Sequence, residues 1–325
     1  MLRAHRQGTM GTGPHALNSP RSSGKTARSR MEVMMDTAVR STLSRRAALR
    51  LGVGAAGVAA LAAPSGARGQ TAPATPTVVT PSTTPFVLVH GAWAGAWIWR
   101  KIAPLLRAAG HDVFASTATG MGDRAHLADP KFDLDLYVTD VVNLLTFENL
   151  TGVTLVGWSY GGMTITGVAE RVPERIRQVV YLDGTVPADG QNSFQALGFP
   201  DQVRTAWAKA AADAGKPGYI LPLVDFVRAL TKDPTDLAWM LAEFVPQPMA
   251  SWAQPIKLGN PAAAKLPRAY IYCTEGKGDP SQDGLAATGQ RIKADSKWRY
   301  REVADTHFAP INSPQATVEA LLSLA

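Results

Sequence analysis

The chain has 325 residues and a hydrophobic share of 46%, which is enough apolar material for a sizeable folded core. Its formal net charge of +7 is unevenly spread, because residues 1–69 carry eleven Lys/Arg against Glu32 and Asp36, or +9, and the remainder carries −2. The nearly neutral remainder argues against a nucleic-acid partner for the folded part.

The first 69 residues have the order of a bacterial export signal. The arginines Arg45 and Arg46 precede a short Ala/Gly-rich apolar run over 51–63, and small residues follow. This order is typical of a twin-arginine signal, and the run is too short for stable membrane insertion. We therefore expect cleavage between Ala67 and Ala74 and a periplasmic or secreted protein. The alternative is a basic tail on a cytoplasmic protein.

Residues 70–85 are rich in proline and threonine, which predicts a linker leading to one folded domain over 86–325. No internal repeat or second core is visible, and this length suits a single domain. The single Cys273 cannot form an internal disulfide, and the histidines lack metal-ligand spacing. We expect no disulfide, no structural metal and no cofactor.

Short apolar runs alternate with helix-compatible segments along the folded part. The predicted strands cover 86–90, 112–117, 153–157, 177–182, 268–274 and 298–303. The predicted helices cover 97–109, 133–149, 163–171, 281–294 and 314–324. This alternation predicts an α/β fold: a mostly parallel sheet of about six strands with helices on both faces.

The alternation lapses at about 187–267, where the chain is helix-prone and prolines separate the aromatic residues Trp207, Tyr219, Phe226, Trp239, Phe244 and Trp252. An insertion of this size between two sheet strands predicts a helical cap. The cap is expected over the carboxyl ends of the strands, where ligands bind in such sheets. Most of these aromatics are expected to pack the cap onto the sheet.

Between the third predicted strand and the next helix lies Gly157-Trp158-Ser159-Tyr160-Gly161, a Gly-x-Ser-x-Gly pattern. A sharp turn between strand and helix would expose the Ser159 hydroxyl, and a Cβ on either flanking glycine would collide with neighbouring chain. Ser159 is therefore a candidate nucleophile. The alternative is a glycine-rich turn that contains an incidental serine.

A serine nucleophile needs a neighbouring base, and four histidines follow the leader. His90 ends the first predicted strand, where it is expected to fix the turn by hydrogen bonding. His111 and His126 are expected to be structural or solvated. His307 lies in a short loop after the last strand, which makes it the candidate base.

Together these motifs resemble the α/β-hydrolases, in particular the small single-domain esterases related to plant methylesterases and hydroxynitrile lyases. The resemblance rests on 89–97, 157–162, 270–274 and His307, and it covers 85–325. It implies the α/β-hydrolase fold and a serine hydrolase that cleaves a small or medium apolar carboxylic ester through an acyl-enzyme on Ser159. His307 would be the base, as in related triads.

The third member of the triad is less obvious from the sequence. In most of the family the acid follows the penultimate strand, at a position that aligns here with Gly276, which cannot orient an imidazole. Asp183, at the end of the strand after the nucleophile, is the first candidate, as some family members place the acid there. Asp279 is second, and Glu275 and Asp283 remain open. Asp183 could instead cap the turn that follows it.

The resemblance also implies an oxyanion hole formed by the N–H groups of Tyr160 and Ala92. Trp93 and Trp158 flank these positions and are expected to line the substrate pocket, although either could belong to the core. Two other functions remain open on this scaffold. One is a non-hydrolytic lyase, for which Lys277 is the candidate lysine, and the other is a ligand-binding protein without turnover.

Overall fold

The computed structural model describes residues 84–325. The predicted export signal and nearly all of the predicted linker lie outside the described residues. Within 84–325 no helix is both long and apolar enough to cross a bilayer. The same part of the chain contains no cluster of His, Cys, Asp and Glu side chains suited to a metal ion.

The described residues form a six-stranded sheet and a separate two-stranded ribbon. The strands are β1 Phe86–Val89, β2 Val113–Ser116, β3 Val153–Trp158, β4 Ile176–Leu182, β5 Tyr219–Ile220, β6 Gln247–Pro248, β7 Arg268–Cys273 and β8 Trp298–Val303. The large sheet has the order β2-β1-β3-β4-β7-β8, and every neighbouring pair is parallel. This confirms the predicted parallel sheet.

The central strands are buried on both faces. Every residue of β1 and β3 is buried, which matches their continuous apolar sequence, whereas β8 at the sheet edge is partly exposed. A parallel sheet needs helices on both faces, so its central strands have no solvated side that would require alternating polar residues. Because β1, β3 and β4 are neighbours in the sheet, their ends lie side by side.

Twelve α-helices surround the sheet in the described part of the chain: Ala103–Ala108, Leu134–Phe147, Gly161–Arg171, Ser193–Ala196, Asp201–Asp213, Val224–Leu230, Pro234–Glu243, Met249–Ala253, Pro261–Ala264, Gly284–Lys293, Ala309–Asn312 and Pro314–Leu322. Short 3-10 helices cover Ala96–Trp99, Gly122–Leu127 and Pro173–Arg175. The single helix predicted over 97–109 is wrong, because the chain forms a 3-10 turn and then a new α-helix. Pro104 lies in the first turn of that helix, where a missing N–H is tolerated.

The segment 187–267 forms six of these helices, as expected for a helical cap. It also contains an antiparallel ribbon that the sequence did not predict, in which Tyr219 pairs with Pro248 and Ile220 with Gln247. Two-residue strands are too short to produce a period in the sequence.

The glycines of the Gly-x-Ser-x-Gly turn lie where no side chain fits. A Cβ on Gly157 would lie 2.6 Å from the carbonyl oxygen of Gly161, and a Cβ on Gly161 would lie 2.7 Å from the carbonyl oxygen of His90. Contacts this short are severe clashes, so the predicted collision is confirmed. The close packing lets the helix Gly161–Arg171 begin directly against the end of β1.

Candidate active site

Ser159 lies on the sharp turn between β3 and the helix Gly161–Arg171. Its backbone φ of 56° lies in the left-handed region, and its carbonyl oxygen accepts hydrogen bonds from the N–H groups of Gly162 and Thr185, each at 3.0 Å. The Ser159 Oγ lies 2.9 Å from Nε2 of His307. The structure therefore brings the candidate nucleophile and the candidate base together across a sequence separation of 148 residues.

Asp183 lies on the far side of the imidazole. Its Oδ2 is 2.7 Å from Nδ1 of His307, and its side chain is fully buried at the end of β4. The backbone N–H of Cys273 donates to Oδ1 at 3.3 Å, and the ammonium of Lys277 donates to Oδ2. The carboxylate is thus held by two donors from the end of β7 and the loop that follows it, as well as by His307.

The charge state of Asp183 fixes the tautomer of His307. Burial favours the neutral acid, but the charge of Lys277 and the hydrogen bond from His307 outweigh it and hold the pKa of Asp183 below its usual value. An ionised carboxylate only accepts hydrogen bonds, so Nδ1 of His307 carries the proton. Nε2 is then free to accept the proton of the Ser159 hydroxyl.

Three residues around the site have backbone conformations that L-residues rarely adopt. Trp93 has φ 62°, Ser159 has φ 56° and Asp183 has φ 43°. Such conformations cost about 1–3 kcal/mol each and persist only where surrounding structure enforces them. All three follow the carboxyl ends of the neighbouring strands β1, β3 and β4, which makes these strand ends the candidate functional site.

The other candidate acids lie away from His307. Asp283 accepts hydrogen bonds from the first N–H groups of the helix that follows it. Asp279 accepts from a neighbouring serine, and Glu275 pairs with Lys232 at 2.9 Å. Of the four carboxylates considered from the sequence, the structure therefore brings only Asp183 to His307.

The remaining histidines occupy the kinds of position expected from the sequence. In His90, Nδ1 is 2.7 Å from the carbonyl oxygen of Gly91, and Nε2 accepts the N–H of Ala118 at 3.1 Å. Burial lowers the pKa of His90, so the neutral ring braces this turn. His111 bonds a backbone carbonyl through Nδ1, and His126 is exposed.

Trp158 supports the base rather than the substrate. It was expected to line the pocket, but it is not among the lining residues. It is 2% exposed, its indole Nε1 donates to the His307 carbonyl oxygen at 2.9 Å, and its ring centroid lies 5.1 Å from the imidazole. The side chain at the end of β3 therefore faces the loop that carries His307.

Residues 306–312, which carry His307 and include the short helix Ala309–Asn312, form the base loop, which is also hydrogen-bonded to the cap. The carbonyl oxygen of Leu230, at the end of the helix Val224–Leu230, accepts from Thr306 Oγ1 at 2.6 Å and from Asn312 Nδ2 at 2.9 Å. Phe226 of the same helix lines the pocket, and its ring centroid lies 5.7 Å from that of His307. This cap helix and the base loop are therefore held together directly.

Ala92 and Tyr160, whose backbone N–H groups were expected to form an oxyanion hole, line the same pocket as Ser159. Within 84–325 neither N–H donates to a protein acceptor. The next N–H, that of Trp93, donates to the buried Gln247 side chain at 3.2 Å and fixes the loop after β1. Preset donors of this kind stabilise negative charge that develops on a bound carbonyl oxygen.

The pocket above Ser159 is apolar and rich in aromatic side chains. It is partly open to solvent, and apolar pockets with a few polar groups are typical sites for small organic ligands. The lining residues are Ala92, Trp93, Ser159, Tyr160, Thr185, Leu197, Phe199, Trp207, Leu223, Phe226, Trp252, Leu285 and His307. Trp93 is there as expected, whereas no sequence motif indicated Thr185, Leu197, Phe199, Leu223 or Leu285. These come from separate segments that meet only in the fold.

Lys277 does not line this pocket. It was considered from the sequence as the lysine of a lyase, but its side chain is 10% exposed and its ammonium bonds Asp183 instead. A carboxylate buried at a strand end requires a compensating positive charge. Once Asp183 had been chosen as the acid, this requirement could have indicated that a lysine such as Lys277 pairs with it.

Comparison with known proteins identifies the family of the chain. Residues 86–320 match the family described as Alpha/beta hydrolase family. The carbendazim hydrolyzing esterase of Nocardioides sp. is 40% identical over 191 residues, 57% of this chain and 78% of that protein. Salicylic acid-binding protein 2 of Nicotiana tabacum is 30% identical over 264 residues, 74% of this chain and 96% of that protein.

Among solved structures, an extracellular α/β-hydrolase from a Paenibacillus species superposes with a TM-score of 0.62. It is 24% identical, and the match covers 74% of this chain and 98% of that one, so it supports the fold. The chain belongs to the α/β-hydrolase family, within the group that contains the plant methylesterases, and several of its relatives are named as esterases.

Proposed function

We propose that the chain is a serine esterase that cleaves a small or medium apolar carboxylic ester through an acyl-enzyme on Ser159. The observation that carries the proposal is the hydrogen-bonded series from Asp183 through His307 to Ser159, at 2.7 and 2.9 Å, beside an apolar pocket. A serine hydroxyl is a weak nucleophile at neutral pH unless such a base is in place.

In the acylation step, Ser159 Oγ attacks the ester carbonyl carbon while its proton passes to Nε2 of His307. The carbonyl oxygen becomes negative and is stabilised by the N–H groups of Ala92 and Tyr160. The Asp183 carboxylate stabilises the imidazolium that forms. When the tetrahedral intermediate collapses, Nε2–H gives its proton to the departing alkoxide, and the alcohol leaves the acyl group on Ser159.

Deacylation repeats the same proton movements with water. His307 takes a proton from a water molecule as its oxygen attacks the acyl carbon, and the N–H groups of Ala92 and Tyr160 again stabilise the oxyanion. Collapse of the second intermediate breaks the bond to Ser159 Oγ, which recovers its proton from His307. The products are a carboxylic acid and an alcohol, or a carbamic acid when the substrate is a carbamate.

The pocket favours an uncharged ester with a flat aromatic group. The ring of Trp252 lies nearly parallel to those of Tyr160, Trp93 and Phe199, with interplanar angles of 22°, 26° and 21°. Aromatic walls stack well against planar rings, and apolar walls penalise charge. One relative is named for hydrolysis of carbendazim, which supports testing alkyl carbamates of planar heterocycles as well as aryl esters.

A panel of uncharged and charged p-nitrophenyl esters, aryl esters and aryl carbamates tests this proposal. We expect kcat/KM to be higher for uncharged aromatic members than for size-matched members that carry a charge, because the lining has no charged group to pair with one. A fluorophosphonate probe in the same assay should label Ser159. Labelling without turnover of any member would instead favour a binding protein, and absence of labelling would contradict a serine esterase.

We also propose that the leader directs export through the twin-arginine route, with a periplasmic or secreted product. The support is the order of Arg45, Arg46, the apolar run and the small residues. The paired changes Arg45→Lys and Arg46→Lys should leave uncleaved precursor in the cytoplasm, because this route requires both arginines. Cell fractionation with an antibody to the folded part measures the outcome, and unchanged export would contradict the proposal.

A further inference from the structure

Lys277 is a buried cation beside the reactive groups that does not reach the substrate pocket. Its ammonium bonds Oδ2 of Asp183, the same oxygen that accepts the Nδ1 proton of His307. We propose that Lys277 is a positioning residue that pins the Asp183 carboxylate and keeps the Asp183–His307 pair active at lower pH than the pair alone would allow. This inference rests on the proposed roles of Asp183 and His307 in ester hydrolysis.

The geometry explains the positioning part of this role. Oδ1 of Asp183 accepts the backbone N–H of Cys273 at 3.3 Å, while Oδ2 accepts from Lys277 and His307. Donors on both oxygens prevent rotation of the carboxylate. Lys277 itself is held on its other side by the ring of Tyr272, whose centroid lies 5.2 Å from the ammonium. The acid is consequently presented to the imidazole in one orientation.

The other titratable neighbours of the Asp183–His307 pair are neutral, so Lys277 is the group that compensates the charge of the pair. Burial raises the pKa values of the titratable neighbours Cys273, Tyr270, Tyr272 and Tyr300, so these groups are neutral at ordinary pH. On the other side, His307 meets the uncharged rings of Trp158, Phe226 and Phe308.

Two further carboxylates lie near this region, and each has its own donors. Asp283 accepts the N–H groups of Gly278, Leu285 and Ala286. Asp305 bonds Lys232 at 3.2 Å and also accepts from Thr306, Asn312 and Ser313. Among residues 84–325, the cation in contact with the Asp183–His307 pair is therefore Lys277 alone.

The charges of Asp183, His307 and Lys277 determine in which direction the loss of Lys277 shifts the pH at which the pair takes up a proton. In the active form Asp183 is ionised and His307 is neutral, so the buried pair has a charge of about −1, which Lys277 cancels. A proton taken up by the pair then leaves net positive charge in a dry site. Without Lys277 the same proton would neutralise a buried anion, so uptake would occur at higher pH. The direction is the same whichever of the two residues receives the proton.

The test is the pH profile of Lys277→Met, which removes the charge and keeps a long side chain. In this variant the acidic limb of the plot of kcat/KM against pH is expected to move to higher pH by about 1–3 pH units, as for loss of a contacting opposite charge. Activity should recover toward a plateau at high pH. Nuclear magnetic resonance titration of the His307 ring in the resting protein should show the same upward displacement without any need for turnover.

Matched variants separate charge from structure. Lys277→Arg keeps the charge and should retain the wild-type limb, whereas Lys277→Gln removes it and should reproduce the displacement if Lys277→Met fails to fold. Lys293→Met deletes an exposed lysine paired with Glu302 at 2.8 Å, so its limb should not move.

An unchanged limb and an unchanged His307 titration in both neutral variants would overturn the inference. So would a uniform loss of activity at every pH, which would indicate a purely structural role. Failure of the proposed function itself would be seen separately, as absence of probe labelling at Ser159 in the wild-type protein. The His307 titration would still report the charge effect in that case.

Discussion

Replacement of Ser159 by alanine is expected to lower kcat for ester hydrolysis by about a millionfold, as for loss of the serine from other triads. The methyl group cannot attack a carbonyl or hold an acyl group, so the residual rate comes only from binding and the oxyanion hole. The fold should persist, since alanine at the observed φ of 56° is no more strained than serine. Single-turnover kinetics with an activated aryl ester measures the loss.

The control for this experiment is Ser193→Ala. Ser193 is fully buried and its hydroxyl has no hydrogen-bond partner within 84–325, so removal of that hydroxyl should change neither turnover nor probe labelling. Circular dichroism melting curves confirm that both variants are folded. Ester hydrolysis at the wild-type rate by the Ser159→Ala protein would show that the reaction takes place elsewhere.

The second large effect is expected for Asp183→Asn, with a fall in kcat of about ten-thousandfold. The asparagine amide is neutral, so it no longer stabilises the imidazolium that forms when His307 accepts the Ser159 proton. Asp279→Asn is the matched control, because Asp279 bonds only its own loop, and its kcat should stay near the wild-type value.

Stability has to be measured in the same variants, because Asp183→Asn also leaves Lys277 without its anion. Breaking a buried ion pair from one side typically costs about 3–5 kcal/mol in the free energy of unfolding. The double variant Asp183→Asn with Lys277→Met should recover much of that loss without recovering activity. A single variant that is stable and nearly fully active would show that Asp183 is not the acid.

The sheet could be predicted from the sequence because its strands are buried on both faces. Continuous apolar runs such as Val153–Trp158 are then unambiguous, and the alternation with helices restricts the sheet to parallel pairing. The cap gives a weaker signal. Its ribbon, Tyr219–Ile220 with Gln247–Pro248, is held by tertiary contacts rather than by local pattern, so no sequence period reveals it.

The candidate site was predictable where the residues belong to a motif or follow from the order of the strands and helices. Ser159 and its flanking glycines form one contiguous turn, and His307 follows from the order of elements. For Trp158 the structure supports the alternative that it belongs to the core, because its buried indole packs against His307 and does not line the pocket. The contact of Lys277 with Asp183 depends on two loops, 94 residues apart in sequence, meeting in the folded protein. No local pattern encodes such a meeting.

Two hydrogen bonds join the base loop to the Leu230 carbonyl oxygen, and they bear on any redesign of substrate range. Because Phe226 belongs to that tethered helix, widening the pocket there would also shift the imidazole and slow turnover for every ester. Phe199 and Leu285 line another part of the wall and are not among the ring or hydrogen-bond neighbours of His307 within 84–325. Variation at that wall is therefore the route by which such a scaffold can acquire new substrates while its reaction machinery stays intact.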